Sequence, residues 1–279
     1  MTSLPQALNG VKVVTVCINT PGPVAASRLA SMGASVTKVE PPGGDPMKVF
    51  AEAWYSSLAA GQSIITLDLK ERAGRAQLDE LLASADLLLV SFRPSALKRL
   101  QLDWESVHRR HPKLCFVGIT GYPPPEEEKS GHDLTYLAEA GLVTPPEMPS
   151  TLFVDLAGAE RCVSASLALL LHFARTGEAG CQSVSLFEAA CQLRAPAEAR
   201  LTPKGKLLGG GSPLYNLYRT SDGWIAVAAL EQRFVERHLE ELEVPRPDRD
   251  AFQEIFHRRS AAEWEQWAAK RDLPIVAVK

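Results

Sequence analysis

Apolar residues in the first part of the chain alternate between short β-branched runs and longer helical stretches. Residues 11–16 predict a strand, residues 24–32 an amphipathic helix that ends at Gly33, and residues 35–40 a second strand. A strand, helix, strand order implies a parallel pair with a ligand crevice at the carboxyl ends of its strands. Pro21-Gly22-Pro23, which follows the first strand, is predicted to be a turn in that crevice.

The same alternation continues along the chain. Residues 63–69, 86–90, 114–119 and 181–186 predict further strands, and residues 73–83 predict a helix. Residues 155–176 have the apolar spacing of a long helix that ends at Gly177. Strands that alternate with helices in this way favour an α/β fold built on a parallel sheet.

The pattern changes after a glycine-rich segment, residues 204–212, which predicts a flexible connection and a domain boundary. Residues 215–219 and 224–228 flank Ser221-Asp222-Gly223 and predict a hairpin, because Asp-Gly favours tight turns. Residues 233–242 and 261–270 predict helices. The chain is therefore expected to form a large α/β domain, residues 1–203, and a smaller α+β domain, residues 204–279.

Composition and charge exclude several classes of partner. The 279 residues carry a formal net charge of -3, so no global basic field attracts nucleic acid or anionic membrane. The five cysteines are scattered without the spacing of a metal site, which favours reduced thiols in the cytoplasm. The chain shows neither a signal peptide nor an apolar run long enough to span a bilayer. We expect a soluble cytoplasmic protein that binds no metal, nucleic acid or membrane.

Two candidate proton-transfer groups stand 23 residues apart, His132 in Gly131-His132-Asp133 and Asp155 at the start of a long apolar segment. Their ordinary pKa values, roughly 6.5 and 3.9, suit a pair that removes a proton from one face of a carbon and returns it on the other. Each has a structural alternative. Asp155 has the position of a helix N-cap, and His132 that of a surface histidine in a turn. Glu231, before a predicted helix, has the position of a first-turn acid.

Arg93 follows the strand at residues 86–90 and precedes Pro94, where α/β sheets bind ligands. A guanidinium there can hold a phosphate with two hydrogen bonds, and a solvated surface arginine is the alternative. Gly209-Gly210-Gly211 is interpreted as part of a linker, because it lacks the spacing of a phosphate-binding loop. The basic residues Lys98, Arg99, Arg109 and Arg110 are interpreted as a solvated helix face.

Short motifs in a fixed order run along nearly the whole chain. They are Leu8-Asn9-Gly10-Val11-Lys12-Val13, Gly33-Ala34-Ser35-Val36-Thr37-Lys38-Val39-Glu40, Leu67-Asp68-Leu69-Lys70, Ala85-Asp86, Phe92-Arg93-Pro94, Leu97-Lys98-Arg99-Leu100, Gly118-Ile119-Thr120-Gly121-Tyr122, Val154-Asp155, Gly177-Glu178-Ala179-Gly180-Cys181-Gln182-Ser183-Val184 and Tyr218-Arg219-Thr220-Ser221-Asp222-Gly223. This series resembles the class III CoA-transferase family, which includes α-methylacyl-CoA racemases. The resemblance implies a Rossmann-like parallel-sheet domain that binds CoA and a smaller α+β domain.

The resemblance also implies roles for single residues. Asp155 matches the aspartate that is a nucleophile in the transferases and an acid/base in the racemases. Gly131-His132-Asp133-Leu134-Thr135-Tyr136 is similar to the racemase motif, and Glu231 matches the racemase glutamate that orients the histidine. Positions matched to the CoA-binding residues of the family are Arg93, Lys70, Lys38, Leu67 and Pro23.

The resemblance thus implies an enzyme that epimerises a 2-methylacyl-CoA by proton transfer at the α-carbon, with a CoA thioester as substrate and no prosthetic group. The alternatives are a CoA-transferase that works through an aspartyl-CoA intermediate, and a CoA-binding protein without catalysis. We expect desolvation to raise the pKa of Asp155, and the amides of the segment after it to stabilise an enolate. A homodimer is implied, atypical because the family continues beyond the position of Lys279 into a return segment.

Overall fold

Six parallel strands form the central sheet of the first of two compact units, which ends at Arg194. The structure is a computed structural model that describes residues 6–279. The strands are β1 (Lys12–Thr15), β2 (Ser35–Glu40), β3 (Ser63–Thr66), β4 (Leu87–Val90), β5 (Cys115–Thr120) and β6 (Cys181–Ser185), and their order is β3-β2-β1-β4-β5-β6. The α/β fold predicted from the hydrophobic pattern is confirmed.

The strand order reverses between β1 and β4, which pair in parallel with Val13 opposite Leu87. In an open α/β sheet, ligands bind in the crevice at the carboxyl ends of the strands where the order reverses. All four residues of β4 are buried, as expected of a central strand covered on both faces. The topology therefore places a ligand crevice after Thr15 and Val90.

Helix α1 (Pro21–Ser31) begins earlier than the sequence pattern predicted. Proline fits the first position of a helix because that residue needs no N–H donor. A Cβ atom on Gly22 would lie 2.1 Å from the Cβ of Cys17, so only glycine lets this first turn pack so closely on the end of β1. The prediction that Pro21-Gly22-Pro23 forms a turn was wrong, because these residues are helical, but Pro21 does lie in the crevice as expected.

The helices that follow in this unit differ in how well the sequence predicted them. The predicted helices are α4 (Arg72–Leu82) and the 24-residue α8 (Phe153–Thr176), which packs on α1 and ends at Gly177. The basic residues interpreted as a helix face lie in α5 (Pro94–Leu100) and α6 (Trp104–Arg110). The sequence did not predict α2 (Met47–Phe50), α3 (Glu52–Ala59), α7 (Asp133–Glu139) or α9 (Leu186–Glu198). Most of these span about two helical turns or fewer, so a repeating apolar pattern does not stand out.

The second unit, Ala195–Lys279, contains the predicted hairpin of β7 (Tyr215–Arg219) and β8 (Trp224–Ala228). A third antiparallel strand, β9 (Ile275–Ala277), completes its sheet, and the helices are α10 (Gln232–Glu241), α11 (Arg249–Phe256) and α12 (Ala261–Ala269). An aromatic cluster of Tyr218, Phe252, Phe256 and Trp264 fills its core. The units divide between Arg194 and Ala195, and the assignment of residues 204–279 as a separate domain stays a prediction.

Part of the predicted linker, Leu207–Gly211, forms a compact turn in which Gly210 has a positive φ of 81°. Along residues 6–279, no helix combines the length and the apolar character needed to cross a membrane.

Candidate active site

A cavity of about 180 Å³ opens at the carboxyl ends of β1, β4 and β5, where the sheet order reverses. It brings together three residues that the sequence singled out, Arg93, His132 and Asp155. Its lining is formed by Ile18, Asn19, Pro21, Ser91, Phe92, Arg93, Ile119, Thr120, Gly121, Glu127, Lys129, Gly131, His132, Tyr136, Asp155 and Leu186. We call this cavity the catalytic pocket.

Asp155 lies in the first turn of α8, but it does not cap the helix. The N-cap position is Leu152, and the carboxylate oxygen Oδ1 of Asp133 accepts hydrogen bonds from the backbone N–H groups of Val154, at 2.7 Å, and of Asp155, at 3.0 Å. The capping carboxylate therefore comes from α7 rather than from α8 itself. The alternative interpretation of Asp155 as a helix cap is wrong, and its side chain is left to face the catalytic pocket.

The environment of Asp155 favours its protonated form. Burial is the largest cause and the negative charge of Asp133 the second, and together they raise the pKa of Asp155 from 3.8 to about 6. A hydrogen bond from the Thr20 hydroxyl acts in the opposite direction. The result is a carboxylate that is a stronger base than an ordinary aspartate and is still ionised for the most part at neutral pH.

His132 directly precedes α7, in extended backbone conformation, and its side chain is exposed. The Thr135 hydroxyl holds the turn, because it accepts a hydrogen bond from the His132 N–H at 2.9 Å and lies 2.8 Å from the His132 carbonyl oxygen. A Cβ atom on Gly131 would lie 2.3 Å from the ring of Tyr136. Glycine before His132 is therefore required for close packing on Tyr136, a wall of the pocket.

The loop between Tyr122 and Ser130 is irregular and mostly exposed, as predicted, but its C-terminal end is anchored. The Glu128 carboxylate accepts hydrogen bonds from the N–H and the hydroxyl of Ser95 at the start of α5, at 2.7 and 3.0 Å. Lys129 pairs with Glu139 of α7 at 3.0 Å. Because of these contacts, Glu127 and Lys129 line the catalytic pocket.

A second cavity of about 220 Å³ lies at the carboxyl ends of β2 and β3, and Phe92 lines both cavities. It contains Leu67 and Lys70, two of the positions matched to CoA-binding residues, and also Arg99. No sequence pattern separates Arg99 from the other basic residues of α5, because its place in this cavity depends on tertiary packing. We call this cavity the nucleotide pocket.

Two sequence-predicted ligand residues do not fit a role in CoA binding. Lys38 is only 2% exposed, and its ammonium group pairs with Asp45 and, at 2.8 Å, with Glu40. Two buried carboxylates thus compensate its charge, and it cannot reach a phosphate in this conformation. Pro23 is buried inside α1, and its neighbour Pro21 lines the catalytic pocket instead.

Glu231 immediately precedes α10 in the second unit, where its side chain is exposed and makes no capping hydrogen bond. Its proposed role in orienting His132 stays a prediction.

Thr120, at the end of β5, is a pocket residue that the sequence analysis did not single out. Its buried hydroxyl oxygen has no hydrogen-bond partner among residues 6–279. An unpartnered buried polar atom is rare, and at a pocket wall it is available to a ligand. The signal in the sequence was its place between a strand and Gly121.

Among residues 6–279, no group of three His, Cys, Asp or Glu side chains is arranged to hold a metal ion.

The chain belongs to CoA-transferase family III, whose model matches residues 8–279. It is similar to human alpha-methylacyl-CoA racemase, with 31% identity over 94% of this chain and 75% of the relative. It is also similar to a probable fatty acyl-CoA transferase from Mycobacterium tuberculosis, with 28% identity over 91% of this chain and 73% of the relative.

Solved structures agree with this assignment. A crystal structure of a hypothetical protein from Mycobacterium tuberculosis has a TM-score of 0.85 and 25% identity, and covers 98% of this chain and 84% of that one. A CAIB/BAIF family protein from Brucella suis shares the fold, with a TM-score of 0.81 at 23% identity over 100% of this chain and 85% of that one. The resemblance seen in the sequence is confirmed, as is the expectation of an enzyme, since the family consists of racemases and CoA-transferases that act on CoA thioesters.

Proposed function

We propose that this protein epimerises 2-methylacyl-CoA thioesters by moving a proton at the α-carbon. The observation that carries the proposal is the shared pocket of His132 and Asp155, in which Asp155 has a pKa raised to about 6. A general base works best when its pKa lies near the working pH. Similarity to alpha-methylacyl-CoA racemases from human and mouse supports the same reaction.

The two cavities suggest how the substrate lies. Arg93 lines the catalytic pocket, and Lys70 and Arg99 line the nucleotide pocket, so both pockets contain positive charges that could bind the CoA phosphates. The apolar wall that contains Leu67 suits the adenine ring. With Phe92 between the pockets, the thioester would reach the catalytic pocket and bring its α-carbon between His132 and Asp155.

In the reaction, one of the two groups removes the α-proton, and the electrons of the C–H bond move to the thioester carbonyl to give an enolate. The other group, protonated beforehand, donates its proton to the opposite face of the α-carbon. Each transfer contributes about 10² to 10⁴ in rate. The substrate thus changes configuration, and one proton has been exchanged with the enzyme.

The enolate oxygen needs hydrogen-bond donors, and the segment expected to supply them does not have them free. The Val154 and Asp155 amides already donate to Asp133. The amides at the start of α8 are therefore not free to stabilise the enolate, contrary to the sequence-based expectation.

The test is proton exchange in D₂O on a 2-methylacyl-CoA, followed by NMR. Wild-type protein should introduce deuterium at the α-carbon and convert either configuration into a mixture, and Asp155→Asn should not epimerise. Glu160→Gln, a matched change on the exposed side of α8, should keep full activity. An enzyme that turns over acyl-CoA without any α-exchange would contradict the proposal.

CoA transfer between carboxylic acids is the second candidate, because CoA-transferases are also among the relatives. One example is the succinyl-CoA:D-citramalate CoA-transferase of Chloroflexus aurantiacus, which shares 29% identity over 81% of this chain and 62% of the relative. Asp155 would then attack the acyl carbonyl and displace CoA as a thiolate, which leaves a mixed anhydride. Attack of that thiolate on the Asp155 carbonyl would release the free carboxylate and leave CoA on Asp155 as a thioester. Mass spectrometry during turnover distinguishes the two reactions, since only transfer leaves a hydroxylamine-sensitive adduct on Asp155. CoA binding with neither reaction would identify a non-catalytic member.

We further expect a homodimer in the cytoplasm. Light scattering coupled to size-exclusion chromatography should give twice the chain mass, and a monomer at micromolar concentration would contradict this expectation.

A further inference from the structure

Asp133 connects the two segments that carry the proposed proton-transfer groups. It directly follows His132 in the chain, and its carboxylate accepts both hydrogen bonds from the first turn of the helix that carries Asp155, at 2.7 and 3.0 Å. The residue is only 5% exposed. A single buried carboxylate thus fixes the start of α7 to the start of α8.

The charge of Asp133 is not compensated by a cation nearby. Over residues 6–279, Asp133 takes part in no ion pair, and its hydrogen-bond donors are backbone amides. A helix N-terminus by itself stabilises a carboxylate in its first turn, and so makes it a weaker base. The Asp133 anion opposes that effect, and it is the second cause, after burial, of the raised pKa of Asp155.

We propose that Asp133 is a positioning residue, whose buried carboxylate holds the Asp155 segment of α8 against the His132 segment of α7 and places a negative charge beside Asp155. This proposal rests on the function proposed above. It assigns Asp133 no contact with the substrate through its side chain. It follows that the negative charge of Asp133 and the hydrogen bonds that its carboxylate accepts should have separable effects on Asp155.

Other groups also face Asp155, and they set the background for a test. The Thr20 hydroxyl, just before α1, has two possible hydrogen-bond acceptors, the Asp155 carboxylate and the sulfur of Met47. The distance from the Thr20 oxygen to that sulfur is 3.9 Å. The carboxylate is the stronger acceptor of the two. The titratable groups that share the catalytic pocket with Asp155 are Arg93, Glu127, Lys129, His132 and Tyr136.

Asp133→Asn separates the two roles. The asparagine amide oxygen can accept the same two backbone hydrogen bonds, whereas the negative charge is removed. Asp103→Asn is the matched control, because Asp103 caps α6 through the Ser106 N–H at 3.1 Å and does not line the catalytic pocket. Thr20→Val provides a change of opposite sign, since it removes a hydrogen bond that favours the charged form of Asp155.

The readout is the titration of the Asp155 carboxyl carbon by ¹³C NMR between pH 3 and 8, with the signal assigned by its loss in Asp155→Asn. Wild-type protein and Asp103→Asn should titrate at about 6. Asp133→Asn should titrate lower, toward the ordinary value, and Thr20→Val higher. The acid limb of the pH profile of α-proton exchange should move the same way, with a plateau rate on the order of tenfold lower in Asp133→Asn.

An unchanged Asp155 titration in folded Asp133→Asn overturns the proposal, whatever the exchange rate. Asp133→Ser provides a second uncharged side chain that can accept hydrogen bonds from the start of α8. Asp133→Glu keeps the negative charge, so Asp155 should titrate in it as in wild-type protein. If neither neutral variant folds while Asp103→Asn does, the role of Asp133 is structural and the proposal is also overturned. Failure of wild-type protein to exchange α-protons would instead refute the proposed function, and the NMR titration would still decide the role of Asp133.

Discussion

Asp155→Asn should make the protein more stable at neutral pH while it removes epimerisation. The folded state holds the Asp155 carboxyl with a pKa of about 6 rather than 3.8, so ionising it opposes folding. The folded state binds more protons than the unfolded state between these values, and stability therefore falls as pH rises through that window. Asparagine, which has no charge to ionise, avoids this loss.

The size of the expected gain in stability follows from the shift in the pKa of Asp155. A difference of about two pH units, at about 1.36 kcal/mol each, sets an upper limit of roughly 3 kcal/mol at pH 8. Because Asp155 is only half-buried, solvent screening reduces the gain, and we expect roughly 1 to 3 kcal/mol. Well below pH 3.8 the carboxyl is protonated in both states, so this contribution disappears there, and at pH 4 only a small part of it remains.

The assay is urea unfolding of wild-type protein and Asp155→Asn at pH 4 and pH 8, with Glu160→Gln as the control. The difference in free energy of unfolding between Asp155→Asn and wild type should grow from pH 4 to pH 8, and the control should show no such growth. An equal difference at both pH values would refute the argument that the pocket disfavours the charge of Asp155.

Three further substitutions test the site and its support. Gly131→Ala should reduce kcat strongly, because its methyl group would collide with the Tyr136 ring, and activity equal to wild type would contradict the packing argument. Lys38→Ala should lower the free energy of unfolding by about 3 to 5 kcal/mol, since it leaves two buried carboxylates without their cation, and a loss below about 1 kcal/mol would show that the pair is dispensable. Arg99→Gln should weaken CoA binding in calorimetry and reduce the salt dependence of that binding, whereas Lys98→Gln should do neither. If both substitutions weaken binding equally, CoA does not bind beside Arg99.

The strands were predictable because each is a short apolar run that ends at a polar or glycine-containing segment. The strand, helix, strand rhythm predicted a parallel α/β sheet, and the Rossmann-like domain was implied by the family resemblance. The first turn of α1 was missed because proline and glycine usually mark turns, and only the contact of Gly22 with Cys17 shows why they begin a helix here.

The site was predictable as a set of residue types but not as a network. Asp133 stands 21 residues before Val154, and no local pattern indicates that it caps α8. Lys38 matched a ligand position, yet its charge is compensated by Asp45 from a polar segment that showed no helical or strand period. Contacts of this kind depend on tertiary packing, which single-sequence patterns do not contain.

The measurement that tests the central claim most directly is the stereochemical course of α-deuterium exchange in single-base variants. If His132 and Asp155 act on opposite faces, His132→Ala should exchange the α-proton of one configuration of a 2-methylacyl-CoA without inverting it. Asp155→Asn should do so only for the other configuration, and wild-type protein should exchange and invert both. Inversion that persists in either variant, or loss of exchange from the same configuration in both, would contradict the account.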